Sequence, residues 1–147
     1  MAFAKLGNLK AAEERLLKAT QLPEPSVEAH FNLGLLYAEQ GRNKDAEKAL
    51  YKVIELDPEN ATAACNLAIL KAGNDYPETF RLLKLAIKSD PNNPRHVHTL
   101  AYYYMETKNF KMARETIDEA IARGLNTQDI LAMRRQLMQN QLQNHSK

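Results

Sequence analysis

Apolar residues recur at steps of three and four along most of the chain, which is the spacing of one face of an α-helix. Leu33 and Tyr37 follow this spacing in one segment, and Ala46, Leu50 and Val53 follow it in the next. Alternation with period two, the mark of a half-buried strand, does not take over anywhere. The pattern therefore predicts a chain of amphipathic helices.

Glycine and proline mark the limits of these predicted helices. Ser26 precedes the first apolar residue of one helix, as an N-cap does. Gly41 lies between two helical segments and supplies the backbone freedom that a sharp turn needs. Pro58 and Pro91 each follow the second of two helical segments and end it, because proline disfavours helix at the residue before it. Each unit is thus predicted to be a helix–turn–helix.

The same unit returns every 33 or 34 residues. The equivalent positions of the second helix are Leu16, Leu50, Leu83 and Ile117, which are spaced 34, 33 and 34 residues apart. A helix pair of this size cannot bury both of its apolar faces alone, whereas stacked units bury them against one another. A period of this length predicts an all-α repeat architecture.

One unit carries an ordered set of residues that identifies its family. In chain order the set reads His30, Leu33-Gly34, Tyr37, Ala46, Leu50 and Pro58. It resembles the tetratricopeptide repeat, with histidine where that motif has tryptophan. The resemblance implies a right-handed α–α superhelix of helix–turn–helix repeats with a C-terminal capping helix.

The resemblance divides residues 1–147, as a single array, into a partial repeat, three full repeats, a capping helix and a tail. The bounds in that order are 1–25, then 27–60, 61–93 and 94–127, then 128–143 and 144–147. The partial repeat would hold the end of a first helix and a whole second helix, with Gly7 aligned to the turn at Gly41. The middle repeat is one residue short, so we expect a remodelled turn near Gly73.

The two ends of the chain carry apolar residues beyond the repeat pattern. In the last helix, one stripe that we expect to cover the third repeat is Ile130, Met133 and Leu137. A second stripe is Leu131, Met138 and Leu142. It is either a solvated surface of the cap or a docking face for a partner or another copy. The expected exposed apolar edge at the start is Phe3, Leu6, Leu9 and Leu16.

The chain begins where a first helix should already be ending, which suggests a segment cut from a longer array or multidomain protein. No apolar core of a signal peptide is found at the start. If the chain is a segment, the compartment stays unknown, and the cytoplasm is favoured only by that missing signal.

Composition narrows the classes of function. The 147 residues carry 20 Lys and Arg against 18 Asp and Glu, a net charge of +2. Nucleic-acid binders normally show a concentrated basic face, which is not found in this chain. No apolar run reaches the length of a membrane span. The single cysteine, Cys65, excludes an internal disulfide framework. We therefore expect neither nucleic acid nor membrane as a partner.

Catalytic and metal-binding patterns are not found in the sequence. It holds no glycine-rich phosphate loop, no HExxH and no CxxC. His96 and His98 lie about 200° apart around a predicted helix, so they cannot chelate one metal together. Cys65 is expected to be an inert thiol. We expect no enzyme, no metal and no cofactor.

The family resemblance implies where a ligand would bind. First helices of successive tetratricopeptide repeats line a concave groove that holds peptides. By position, the groove residues are Phe31, Asn32, Leu35, Cys65, Asn66, Ile69, Arg95, His98, Thr99 and Tyr102. Asn32 and Asn66 are equivalent, and each amide could pair with a peptide bond of the ligand. Asparagine at this position can equally serve only the repeat itself.

Two more specific ligands are not expected. The clamp that captures the acidic C-terminus of heat-shock chaperones needs basic residues at the positions that Phe31 and Thr99 occupy, and asparagine at the position of Leu35. Of the residues that this clamp requires, only Asn66 and Arg95 are present. The three tyrosines at 102–104 face different directions on a helix, so we expect no platform for stacked bases.

The sequence leaves two functions open. The favoured one is a non-enzymatic scaffold that binds a peptide segment of a partner protein in the concave groove. The alternative is a structural segment of a larger protein, which could form homo-oligomers through its exposed end helices.

Overall fold

The computed structural model describes residues 2–24 and 26–146, with side chains from residue 7 onward. Over these residues it consists of eight α-helices and contains no strand. The helices are α1 (Ala2–Thr20), α2 (Val27–Glu39), α3 (Asn43–Leu56), α4 (Ala61–Lys71), α5 (Tyr76–Ser89), α6 (Pro94–Glu106), α7 (Phe110–Ala122) and α8 (Gln128–His145). The chain forms two compact units, Met1–Leu70 and Lys71–Lys147. None of the described helices is long and apolar enough to cross a bilayer.

In the first unit, α2 packs against both α1 and α3. Its inner face and that of α3 form a buried cluster of Leu33, Tyr37 and Ala46, against which Leu16 of α1 packs. Leu50 is 1% exposed, at the centre of the buried face of α3. The three- and four-residue spacing of apolar positions thus predicted the buried faces of this helix pair correctly.

The turn from α2 to α3 needs a left-handed residue. Gly41 adopts φ +72°, and the backbone N–H of Arg42 donates to the carbonyl of Tyr37 over 2.9 Å. This hydrogen bond satisfies a carbonyl that the end of α2 would otherwise leave unpaired. At the other end of α2, the Ser26 hydroxyl accepts a hydrogen bond from Ala29 N–H at 3.1 Å, as the predicted cap requires.

The second unit repeats this turn with a different residue. Lys108 takes the left-handed position, with φ 60°, and Asn109 N–H donates to the carbonyl of Tyr104 over 2.8 Å. The geometry is that of the Gly41 turn, but a lysine there bears the steric cost of its Cβ. The shortened turn after α4 is different again, with Gly73 at φ +89° and the Asp75 carboxylate capping α5.

Helix α8 covers the end of the second unit by packing on α7 and α6. Its first stripe is buried, with Ile130 0%, Met133 8% and Leu137 3% exposed. Most of the second stripe lies in solvent, because Met138 is 54% and Leu142 72% exposed, whereas Leu131 is half-buried. The two stripes therefore divide into a packed face and a solvent face.

The start of the chain corrects one prediction. Helix α1 runs unbroken from Ala2 to Thr20, so Gly7 lies inside a helix and the turn predicted there is absent. A Cβ added at Gly7 would meet nothing within 4 Å, which shows that no neighbouring helix packs there to hold a turn. Continuing the helix adds a backbone hydrogen bond for each residue instead.

The predicted exposed edge of α1 is also corrected where the structure describes it. Leu9 and Leu16 are half-buried, whereas the neighbouring Leu17 is 37% exposed. The side chains of Phe3 and Leu6 lie outside the described residues. The apolar face of α1 is thus directed largely towards α2.

Candidate functional site

Helix α2 presents a mixed polar and apolar outer face. Asn32 is exposed, and Phe31 and Leu35 are half-buried beside it. The opposite face buries Leu33 and Leu36. Because these three predicted groove residues share the outward side of one helix, they form a continuous surface on which an amide lies next to two apolar side chains.

Helix α4 offers fewer accessible positions. Asn66 is half-buried and Ile69 is 41% exposed. Cys65 is 0% exposed, so it is not part of the groove surface and its assignment to that surface was wrong. The reason is that α4 is apolar almost all round, and such a helix is buried on more than one face. Burial also agrees with the inert thiol that the sequence predicted.

Helix α6 carries the predicted residues of the second unit. Arg95 and Tyr102 are exposed, and His98 and Thr99 are half-buried. The Thr99 hydroxyl donates to the carbonyl of Arg95 at 2.7 Å, so its hydrogen is used within the helix.

A small cavity at the start of α6 brings two of these residues together with α8. It has a volume of about 250 Å³ and is lined by Pro94, Arg95, His98, Thr127 and Asp129. Thr127 and Asp129 were not among the predicted site residues, because the repeat motif ends before α8 begins. Its lining includes charges of both signs, from Arg95 and Asp129.

The tyrosines of α6 are divided between the surface and the interior. The rings of Tyr102 and Tyr103 contact each other edge to face, with their centroids 5.1 Å apart. Tyr103 also lies 6.3 Å from Tyr76 of α5. Long aromatic side chains can lean towards each other even though their Cα–Cβ bonds diverge around the helix. Tyr104 is 3% exposed and stacks on Phe80 in the interior.

The two histidines of α6 have separate environments. His96 is 1% exposed, with its Nε2 3.4 Å from an Asp90 carboxylate oxygen, while His98 faces the small cavity. Burial lowers the pKa of His96, and the nearby Asp90 only partly opposes this effect. Within the described part of the chain, no group of three His, Cys, Asp or Glu side chains could hold a metal ion.

A polar cluster that sequence reasoning missed joins α1 to the α2–α3 turn. The Arg42 guanidinium donates to both carboxylate oxygens of Glu13, at 3.0 and 3.1 Å, and lies 4.2 Å above the Tyr37 ring. The Tyr37 hydroxyl donates to the same carboxylate at 3.2 Å. Burial and this carboxylate raise the pKa of Tyr37. No local pattern in the sequence marks Glu13, because its two partners lie 24 and 29 positions further along the chain.

A second and larger cavity lies among α1, α2 and α3. It has a volume of about 320 Å³, and His30 lies in its wall. The sequence showed that His30 takes the place of the motif's tryptophan, but it did not predict a cavity. A histidine is smaller than a tryptophan, so the substitution leaves space where the family's usual residue would lie.

The comparisons with known proteins agree with this architecture. A family model described as "Tetratricopeptide repeat" matches residues 27–60, and one described as "TPR repeat" matches residues 2–41. A search of curated proteins found no significant match.

Solved structures extend the likeness over most of the chain. A crystal structure of MamA aligns with a TM-score of 0.71 at 18% identity, covering 98% of this chain and 95% of that one. The TPR2B domain of yeast Sti1, titled as a pHsp70 complex, aligns at 0.66 with 26% identity, covering 78% and 97%. The first TPR of Spaghetti (RPAP3), bound to the HSP90 peptide SRMEEVD, aligns at 0.67 with 14% identity, covering 79% and 93%.

These likenesses confirm the predicted fold class, an all-α tetratricopeptide-repeat solenoid. Within this fold, residues 2–60 match tetratricopeptide-repeat family models, so this part of the chain is similar to that family.

Proposed function

We propose that this chain is a non-enzymatic protein-interaction scaffold. It binds a peptide segment of a partner on the solvent-facing sides of its first helices, which are the sides that the sequence assigned to the groove. Of the structurally similar tetratricopeptide-repeat domains, one is bound to an HSP90 peptide and another forms a complex with pHsp70. Their likeness supports a peptide or protein ligand as the class of partner. The residues that would select that ligand differ here.

The observation that carries the proposal is the outer surface of the first unit. An exposed amide, Asn32, lies beside half-buried Phe31 and Leu35 on α2, and Ile69 of α4 leaves 41% of its surface exposed. An amide can donate to and accept from one peptide bond, while apolar side chains bury alternate residues of an extended ligand. This combination suits a peptide better than a small polar molecule.

The second unit would add contacts of a different kind. Tyr102, 46% exposed, offers an aromatic surface, and Arg95 brings a positive charge near the α6–α8 cavity. A guanidinium can bind a carboxylate through two hydrogen bonds. We therefore propose that the second unit, taken by itself, can bind an acidic residue of a partner.

The chaperone-type clamp is not part of the proposal. The positions where that clamp needs basic residues hold Phe31 and Thr99, and Leu35 replaces the required asparagine. Phe31 and Leu35 favour apolar ligand residues where the clamp would bind a carboxylate. The ligand proposed for the first unit is accordingly a segment with apolar residues.

Selection from a random peptide library tests the proposal without knowledge of the partner. Selected peptides should share spaced apolar residues, and the variant Asn32→Ala with Asn66→Ala should bind them about tenfold more weakly or worse. Asn8→Ala, on the exposed face of α1, is the matched control and should bind normally. Unchanged binding by the double variant would refute the role of the two amides.

A second candidate function rests on α8. Met138 and Leu142, 54% and 72% exposed, give this helix an apolar stripe in solvent that could pair with a second copy. Replacing both residues with Glu should lower the mass measured by light scattering if the stripe forms the contact. Leu131 is half-buried and is left intact, so that the buried face of α8 is not disturbed. If the protein without these substitutions already has the mass of a single chain, this function is excluded.

A further inference from the structure

The cavity among α1, α2 and α3 has the composition of a ligand site. Leu17, Leu33 and Ala49 form apolar walls, while Thr20 and His30 bring polar atoms to it. Its volume of about 320 Å³ lies at the lower end of the range for small-molecule sites. None of its lining residues belongs to the predicted groove, so it is separate from the proposed peptide-binding surface.

One polar atom of this cavity lacks a partner in the described structure. His30 Nε2 is buried and makes no hydrogen bond with the described residues. Buried polar atoms are nearly always satisfied, and an exception calls for a ligand or a water. Burial, with Lys52 nearby, lowers the pKa of His30, so the imidazole is neutral at pH 7 and can donate through Nε2–H.

The charges around the cavity favour an anion. Lys48 and Lys52 contribute two ammonium groups to its lining, and Asp45 contributes one carboxylate. Asp45 is already paired with Arg42 at 3.1 Å, while Lys52 contacts Glu55 at 3.2 Å on the exposed side of α3. Lys48 is exposed, so its side chain is accessible at the cavity mouth.

From this arrangement we infer that the α1–α2–α3 cavity binds a small carboxylic acid with an aromatic or branched apolar body. The apolar body would lie against Leu17, Leu33 and Ala49. The carboxylate would accept a hydrogen bond from His30 Nε2 and lie near the ammonium of Lys48. This arrangement pairs the buried imidazole and leaves the apolar part of the ligand out of water.

Titration with 3-phenylpropionate, followed by amide and imidazole NMR shifts, tests this inference. Shifts should concentrate on residues around the cavity, and 3-phenylpropanamide, which has the same body without the charge, should bind at least fivefold more weakly. A bound carboxylate should also raise the pKa of His30, because a negative charge favours the imidazolium. Equal binding of acid and amide would overturn the inference.

Two variants and one control separate binding from folding. Lys48→Gln is an exposed change and should weaken binding of the acid about threefold, while Lys44→Gln, exposed on the same helix but outside the cavity, should leave it unchanged. His30→Phe should remove the preference for acid over amide, and His30→Gln should retain part of it. If Lys48→Gln and Lys44→Gln bind alike, the anion site is wrong.

The carboxylate could also come from the end of a peptide. A parallel titration with a short peptide that ends in phenylalanine, compared with its C-terminal amide, distinguishes this source. Binding of 3-phenylpropionate assigns the site to a free acid, and binding of the peptide acid alone assigns it to a chain terminus. No shift at the cavity with either probe at 10 mM, about the weakest affinity such a site would need, overturns the inference.

Discussion

Replacing Gly34 with alanine is the sharpest test of how the first helix pair packs. A Cβ built on Gly34 would lie 2.9 Å from Leu50 Cγ and 3.0 Å from Leu50 Cδ2. Ordinary carbon contacts are about 3.5–4.0 Å, so the new methyl group overlaps its neighbour. Leu50 is 1% exposed, so the added methyl group must displace a buried side chain.

The expected cost follows from two opposing effects. Overpacking of a buried core costs about 1–3 kcal/mol. Alanine instead of glycine inside a helix returns about 0.5–1 kcal/mol. With the middle value of each range, the net loss of unfolding free energy is about 1.2 kcal/mol, which lowers the midpoint of urea unfolding by about 0.6 M at an m-value of about 2 kcal/mol/M. An unchanged or raised midpoint would refute this view of the α2–α3 contact.

The third repeat supplies a matched rescue. Its equivalent positions hold Ala101 and Ile117, both buried, so that unit packs an alanine against a differently shaped partner. Leu50→Ile in the Gly34→Ala background should therefore cost less than the sum of the two single changes, by at least about 0.5 kcal/mol. Strict additivity would show that the clash does not involve Leu50.

Three further predictions concern stability, each read from urea unfolding. Lys108→Gly should raise the unfolding free energy by about 0.5–1 kcal/mol, because glycine avoids the steric cost of φ 60°, whereas Lys108→Ala should give no gain. Gly7→Ala should stabilise α1 by about 0.5–1 kcal/mol, because the added Cβ meets nothing within 4 Å. A loss of stability would instead support the turn that the sequence predicted at Gly7. Because burial lowers the pKa of His96, the folded state binds a proton there less readily than the unfolded state does. The stability that neutral His96 contributes is therefore complete above about pH 6.5 and is lost as the pH falls below that value. Measured from pH 7 to 5, the stability difference between the natural chain and His96→Gln should shrink, and a constant difference would contradict the proposed burial.

The sequence predicted the helices well because their signal is local and repeated. Apolar spacing identified the buried faces around Leu50 and Ile130, and Gly41 marked a real turn. At Gly7 the same alignment failed, since a glycine turns the chain only where a second helix packs back against the first. The left-handed Lys108 shows the converse, a turn held by its surroundings without glycine.

The candidate site was only partly predictable, because exposure depends on neighbouring helices. Repeat position suggested Cys65 as a surface residue, yet packing buries it completely. The link of Glu13 to Arg42 joins residues 29 positions apart, and no local pattern encodes it. The cavity beside His30 likewise arises from three helices together. The spacing of a motif predicts which residues share one face of a helix, but it does not predict whether a neighbouring helix covers that face.

Mapping a selected peptide onto the chain by amide NMR shifts tests whether the first helices bind it. We expect the largest shifts on these helices, at Asn32 and Leu35 of α2 and at Ile69 of α4, and we expect Asn8→Ala to leave them unchanged. Shifts confined to the second helices α3, α5 and α7, or to the outer stripe of α8, would contradict a peptide-binding surface on the first helices.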